Sequence, residues 1–149
     1  QCQQELAPMP LSACSLANHP TVPVICSTLK NCYNTDMKQV DSVSARELSA
    51  MAKKMYGNMV KAVVDIKKEL LVIDAEMHVD EEQFLLENGS KQTDLWGINL
   101  YPDKFETDEF IEFDSMINIR PRQQNMSRGI NSKEIRSKIR KIIGKIVKA

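Results

Sequence analysis

Two short stretches of the sequence carry acidic and imidazole side chains that could bind a metal ion or transfer protons. Glu76 and His78 stand two residues apart in a stretch with strand-like alternation, so they would share one face. Glu112 and Asp114 have the same spacing in a later stretch. If the two strands are neighbours, carboxylates and an imidazole converge, which suits a hard or borderline cation or general acid–base catalysis. The candidate catalytic residues are Glu76, His78, Asp80, Glu112 and Asp114.

This acidic and histidine set supports a small metal-assisted hydrolase only as the alternative function. A lone histidine at a strand end is usually structural, and acidic side chains often only solvate an open sheet face. No metal site is predicted and no cofactor is identified. Beyond residue 36 the sequence has no glycine-rich phosphate loop, no G-x-S-x-G elbow and no Cys–His pair, so nucleophilic catalysis is unsupported.

Arginine, amide and hydroxyl side chains are concentrated in another stretch, at 118–128. Arginine holds phosphate or carboxylate through its planar fork, and amides contact polar edges, so this stretch could form an anion or RNA site. The competing interpretation is structural, with Arg120 and Arg128 paired to Asp114 or Glu112. The candidate binding residues are Asn118, Arg120, Arg122, Asn125, Ser127 and Arg128.

The charge of the chain is balanced overall but unevenly distributed. From 120 to 149 there are ten Lys and Arg against one acid, Glu134, whereas residues 37–119 have nine against seventeen. A basic end on an acidic body can indicate a nucleic-acid partner. It can equally indicate a basic helix that lies across the acidic body of its own or a neighbouring chain.

A long strand at 109–120 is the element predicted to position the acidic groups. One face of a half-buried strand is indicated by the alternate residues Ile111, Phe113, Ser115, Ile117 and Ile119, and Pro121 ends the strand because it has no N–H to donate. Three other strands are predicted at 59–66, 70–77 and 94–101. The first two are joined by a short polar turn that lacks the favoured Asn-Gly or Asp-Gly.

Three helices complete the predicted fold, at 44–56, 80–88 and 132–147. Ser44 and Glu47 form a capping box before the first, and Asn131 with Glu134 a similar cap before the last. The last helix carries an isoleucine stripe opposite a basic face, and its length could allow a homodimer through this helix. The fold class is therefore α+β, with a mainly antiparallel four-stranded sheet covered on one face.

Residues 1–36 differ in composition from the rest of the chain. They contain all four cysteines and four of the six prolines, and only three charged residues. No C-x-x-C pair supports a zinc site, and no basic start or apolar core supports a secretion signal. We therefore expect residues 1–36 to be a disordered or spurious extension, residues 37–149 to form one domain, and the protein to be cytoplasmic, with no membrane partner.

Residues 37–149 also resemble a bacterial domain-of-unknown-function family, family 5674. The resemblance is specific because its motifs occur in order along the chain. It implies a fold unit and no particular reaction, and members begin near the position of Met37. The matching motifs are MVKAVVD at 59–65, EMHVDE at 76–81, GSKQ at 89–92, DLWGINLYP at 94–102, IEFDSMINIRP at 111–121, NMSR at 125–128 and the final helix.

The function that these observations favour is a non-enzymatic binding module for an anionic partner. The partner would be RNA or an acidic protein surface, bound through the polar sheet face, the 118–128 stretch and the basic helix. The metal-assisted hydrolase remains the alternative.

Overall fold

A computed structural model describes residues 37–149 of the chain, which lie in one compact unit. The predictions for residues 1–36 fall outside the described residues. Three helices and a mainly antiparallel sheet confirm the α+β class. The elements in chain order are β1 Lys38–Val40, β2 Val43–Ser44, α1 Ala45–Met55, β3 Val60–Asp65, β4 Leu70–Ile73, α2 His78–Glu87, β5 Leu95–Leu100, β6 Ile111–Glu112, α3 Lys133–Ile146 and β7 Val147–Lys148.

The central sheet has five strands in the order β1-β4-β3-β5-β6, one more than predicted. The additional strand, β1, is three residues long with only Val40 buried, which is too little pattern to identify in a sequence. A separate parallel pair joins β2 to β7, with Val43 opposite Val147. Among residues 37–149, no helix is long and apolar enough to cross a membrane.

The β3–β4 hairpin lacks the favoured turn dipeptide, and the side chain of an aspartate stabilises its turn instead. One carboxylate oxygen of Asp65 accepts the backbone N–H groups of Lys67 and Lys68, each at 2.8 Å. Such a side-chain bond holds the backbone in a turn. Glu69 completes the turn with a φ of 56°.

Helix α1 begins at the predicted capping box. The Ser44 hydroxyl accepts the backbone N–H of Glu47 at 3.2 Å, and the Glu47 carboxylate accepts the Ser44 N–H at 2.8 Å. Two backbone donors that the helix leaves unpaired are thereby satisfied. Leu48 and Ala52 then bury the inner face of the helix.

Helix α3 is capped by Ser132, whose hydroxyl accepts the Ile135 N–H at 3.3 Å, so the predicted cap at Asn131 is wrong by one residue. The isoleucine stripe packs into the core of its own chain, together with α1 and one face of the sheet. The stripe that suggested a homodimer is thus already covered. Its buried members are Ile139, Ile142, Ile143 and Ile146.

The opposite face of the sheet is also covered, which corrects the prediction of a sheet covered on one face. Helix α2 packs Leu85 against Val63, Val72 and Leu95, forming a second, smaller core. This helix begins at His78, two residues earlier than predicted, and therefore His78 does not lie on a strand with Glu76. Within residues 37–149, no polar sheet face is open along its whole length.

The predicted strand at 109–120 is wrong except at Ile111 and Glu112, which pair with Leu100 and Asn99. After Glu112 the chain leaves the ladder and continues along the edge of β5 toward the α2 side. Phe113 packs with the α1 and α3 core, whereas Ile117 packs with the α2 core. Residues that would share one face of a strand therefore contact opposite faces of the sheet.

The acid of α2 that is most deeply buried gives the protein a pH-dependent stability. Glu81 is fully buried and accepts the Ala75 N–H at 3.2 Å, and burial raises its carboxyl pKa well above the ordinary value. The folded state therefore keeps Glu81 protonated at a pH where the unfolded chain ionises it.

We expect the free energy of unfolding to fall with increasing pH, between the ordinary glutamate pKa of about 4.5 and the raised folded pKa, at up to about 1.4 kcal/mol per pH unit. Glu81→Gln should remove this slope in urea unfolding curves recorded at successive pH values. Glu87→Gln, on the same helix, is the control and should retain it. A slope that persists unchanged in Glu81→Gln would contradict the assignment.

Candidate functional site

The five acidic and histidine residues predicted as a catalytic set do not all meet. His78, Glu112 and Asp114 line one pocket, of about 470 Å³. Glu76 has an exposed side chain and Asp80 lies in the first turn of α2, and neither of them lines the pocket. Among residues 37–149, no group of three or more His, Cys, Asp or Glu side chains is placed to hold a metal ion.

Two of the predicted binding residues, Asn118 and Asn125, are buried and hold the backbone of the 113–131 segment. Asn118 accepts the Gly97 N–H at 2.9 Å and donates to the carbonyls of Gly97 and Arg128 at 2.9 and 3.0 Å. Asn125 donates to three carbonyls of the same segment and accepts the Asn131 N–H. Their amides are therefore occupied inside the protein.

Arg120 also lies within the fold, where it pairs with Glu82 rather than with Asp114 or Glu112. The two side chains are each 9% exposed and meet at 3.1 Å. The guanidinium stacks over Trp96 at 5.0 Å and donates to the carbonyls of Ile117 and Gln92. Burial lowers the Arg120 pKa, although the guanidinium stays charged.

The other three predicted binding residues are exposed. Arg128 donates to the Asp114 carboxylate at 2.8 Å, in a half-exposed ion pair at the pocket. Ser127 donates to the side chain of Asn131 at 3.2 Å, and Arg122 lies along a separate groove beside α2. The structure thus brings Arg128 together with part of the acidic set and leaves Arg122 and Ser127 elsewhere.

The floor of the pocket is a row of polar side chains on the α2 side of the sheet, beyond the point where α2 covers it. Lys61 on β3 stands opposite Asn99 on β5, which stands opposite Glu112 on β6. The Asn99 amide and the Tyr101 hydroxyl both donate to Glu112, at 2.8 and 2.9 Å. Lys61 donates to the Glu76 carbonyl at 2.8 Å.

The roof of the pocket comes from the start of α2 and from the segment after β6. His78 donates from Nε2 to the Ile98 carbonyl at 2.8 Å, which leaves Nδ1 as the acceptor of the neutral ring. Ser115 sits directly over Gly97, where a Cβ would lie only 2.6 Å from the serine Cβ. A glycine is therefore needed at position 97 for the roof to approach the sheet.

Burial sets the protonation of two groups at the pocket. Desolvation lowers the His78 pKa, against the effect of the Ile98 carbonyl, so the ring is neutral at pH 7. Desolvation and the hydrogen bond to Glu112 raise the Tyr101 pKa, so the phenol keeps its proton. Tyr101 is therefore not a base at pH 7, whereas His78 is in the neutral form, in which Nδ1 can accept a proton.

Four polar residues of the pocket were missed in the sequence. Lys61 and Asn99 each interrupt an apolar strand, and such an interruption is the signal that could have identified them. Tyr101 and Ser115 gave no comparable signal. The pairing of Lys61 with Asn99 depends on the strand register, which the sequence does not determine.

The outer face of α3 is a second candidate surface, referred to below as the basic face. It lies on the side of the sheet opposite the pocket, because α3 packs on Ala62 and Ile98, which alternate with Lys61 and Asn99. Lys145 contacts Glu69 at 2.7 Å in an ion pair that is more than half exposed on both sides. The basic face consists of the exposed residues Lys133, Lys138, Lys141 and Lys145 of α3, and of Lys148 in β7 directly after the helix.

Comparison with known proteins identifies a family whose pattern covers most of the chain. The sequence pattern of the family described as "Protein of unknown function (DUF5674)" matches residues 38–146. None of the curated proteins and none of the solved structures compared with the chain is significantly similar to it.

Proposed function

Because the chain belongs to the DUF5674 family, whose description assigns no activity, its role has to be inferred from its surfaces, and we propose that it is a non-enzymatic module that binds RNA. The partner is anionic and is contacted through the phosphate backbone by the basic face. We also propose that the protein is bacterial and cytoplasmic, because the cytoplasm is where a bacterial protein encounters RNA.

The observation that carries the proposal is the exposure of lysines along a fixed helix. The isoleucine stripe of α3 is buried in the core, so the orientation of the basic face is set by the fold. Successive lysines at 138, 141 and 145 are separated by about 5 Å along the helix axis. A row of ammonium groups at this spacing can follow a polyanion, and Glu134 is the only acid of the helix.

The other surfaces support the proposal less well. Of the six binding residues predicted in the 118–128 segment, Asn118, Arg120 and Asn125 are engaged inside the protein, and Arg122, Ser127 and Arg128 are exposed. No exposed aromatic side chain lies on α3, so base stacking is not expected there and binding should be independent of sequence. The metal-assisted hydrolase is the weaker alternative, because Glu76 and Asp80 do not line the pocket.

The test is the salt dependence of binding to a labelled single-stranded RNA, measured by fluorescence anisotropy with the full chain. We expect Lys138→Gln/Lys141→Gln to weaken binding and to make the slope of log K against log salt shallower by about 1.4, which is about 0.7 for each lost phosphate contact. Both lysines are exposed, so the fold should be unaffected.

The matched control is Lys53→Gln/Lys91→Gln, which removes the same charge from other exposed positions and should bind like the unchanged chain. Equal loss in both double variants would mean that only net charge matters and would contradict a specific basic face. Tighter binding to polyglutamate than to RNA would favour an acidic protein partner instead. Absence of binding to both would overturn the proposal.

A further inference from the structure

The floor of the 470 Å³ pocket presents opposite charges at its two ends. Lys61, Asn99 and Glu112 are direct neighbours across three adjacent strands, so the cation and the anion are separated by about 10 Å at the backbone. The Arg128–Asp114 pair adds one charge of each sign at the pocket wall. A ligand that complements this floor carries both a positive and a negative group.

Two buried polar atoms at the pocket have no partner among residues 37–149. They are Oδ1 of Asn99, in a side chain that is 6% exposed, and the hydroxyl oxygen of Ser115, which is 2% exposed. A buried polar atom without a partner costs about 1–3 kcal/mol, so such atoms commonly mark a place where another molecule supplies the bond. Oδ1 of Asn99 can only accept, so a ligand that satisfies it offers an N–H or O–H donor.

The mouth of the pocket is apolar. Met77 and Met116 are 57% and 66% exposed, and Val79 beside them is also exposed. All three line the pocket, together with Met59. Unbranched methionine side chains adapt to apolar groups of different shapes, and here they lie beside the charged floor.

We propose that the pocket binds a free α-amino acid with an apolar side chain. The ammonium group donates to Oδ1 of Asn99 and to the Glu112 carboxylate, and the carboxylate contacts Lys61 and the Ser115 hydroxyl. The apolar side chain packs against Met77 and Met116 at the mouth. This site is independent of RNA binding, since it lies on the sheet face opposite α3.

Isothermal titration of the full chain with L-leucine and L-methionine tests this assignment. We expect binding of either free amino acid, and at least about tenfold weaker binding of N-acetyl-L-leucine and of L-leucinamide, each of which lacks one charge. Glu112→Gln and Lys61→Met should each weaken binding of L-leucine by about tenfold or more. Lys91→Gln, at an exposed position that does not line the pocket, is the matched control and should bind L-leucine normally.

Two outcomes would overturn the proposal. One is the absence of heat and of chemical-shift change with either amino acid at about 10 mM. The other is equal affinity for L-leucine and for N-acetyl-L-leucine and L-leucinamide, which would mean that the charged floor does not contact the charged groups of the ligand. Because the RNA test uses α3 variants and this one uses pocket variants, failure of either proposal leaves the other standing.

Discussion

Replacing Arg120 by methionine is expected to lower the free energy of unfolding by about 3–5 kcal/mol, because it leaves the buried Glu82 carboxylate without its cation. Methionine retains much of the apolar contact with Trp96, so the loss reports the charge and its hydrogen bonds rather than packing. The Ile117 and Gln92 carbonyls lose their donor at the same time. Urea unfolding followed by tryptophan fluorescence and by circular dichroism measures the change.

The second variant for this experiment is Arg120→Met/Glu82→Gln, which removes both charges. It should recover a large part of the lost stability, since an uncompensated buried charge is the main cost. A loss below about 1 kcal/mol in the single variant would show that water reaches Glu82 and that the pair acts as a surface ion pair.

Substituting Asn118 by alanine is expected to cost about 3 kcal/mol or more. Its amide makes three hydrogen bonds to the backbone of Gly97 and Arg128, and Asn118 is fully buried. Each backbone group left unpaired in the interior costs about 1–3 kcal/mol. The same unfolding experiment measures the loss, and Asn58→Ala, at an exposed position, should stay within about 0.5 kcal/mol.

Asn118→Asp separates hydrogen bonding from packing. Aspartate has nearly the same shape and keeps an acceptor for the Gly97 N–H, but it directs an oxygen toward the Gly97 and Arg128 carbonyls. It should therefore be no more stable than the alanine variant. An aspartate variant close to the unchanged protein would show that the amide donor is dispensable.

The elements predicted correctly are those whose signals are local. The Ser44–Glu47 capping box and the isoleucine stripe of α3 depend on residues a few positions apart, and the structure places both helices within one residue of their predicted bounds. The apolar runs behind β3 and β5 are equally local. The positions of these two strands can be predicted because a run of hydrophobic residues by itself indicates a buried segment.

The prediction of a strand at 109–120 was wrong because apolar and polar residues can also alternate in an extended segment that forms no ladder of backbone hydrogen bonds. Ser115 is extended, with a φ of −157° and a ψ of 144°, and it is buried, as in a strand. Yet the backbone N–H and carbonyl of Gly97 form hydrogen bonds with the side-chain amide of Asn118, which occupies the place of a neighbouring strand. Nothing in the sequence distinguishes an asparagine that replaces a strand from one that binds a ligand.

The site was only partly predictable for the same reason. His78, Glu112, Asp114 and Arg128 were identified from residue type, but they come from two separate candidate sets. Their meeting depends on the chain crossing the edge of β5, and the partners on the floor depend on strand register. Both are properties of residues far apart in the sequence, so residue type alone could not exclude Arg120 and Asn118 as binding residues.

The pairing of Val43 with Val147 has a consequence for how the domain reaches its folded state. These strands are separated by about one hundred residues, so their contact closes a long loop. The conformational entropy lost on closing this loop has to be compensated late in folding. During synthesis, α1 and the first hairpin can form early, but β2 stays without a partner until residues 147 and 148 emerge. We therefore expect folding to finish in a single late step, with slow kinetics typical of domains rich in non-local contacts.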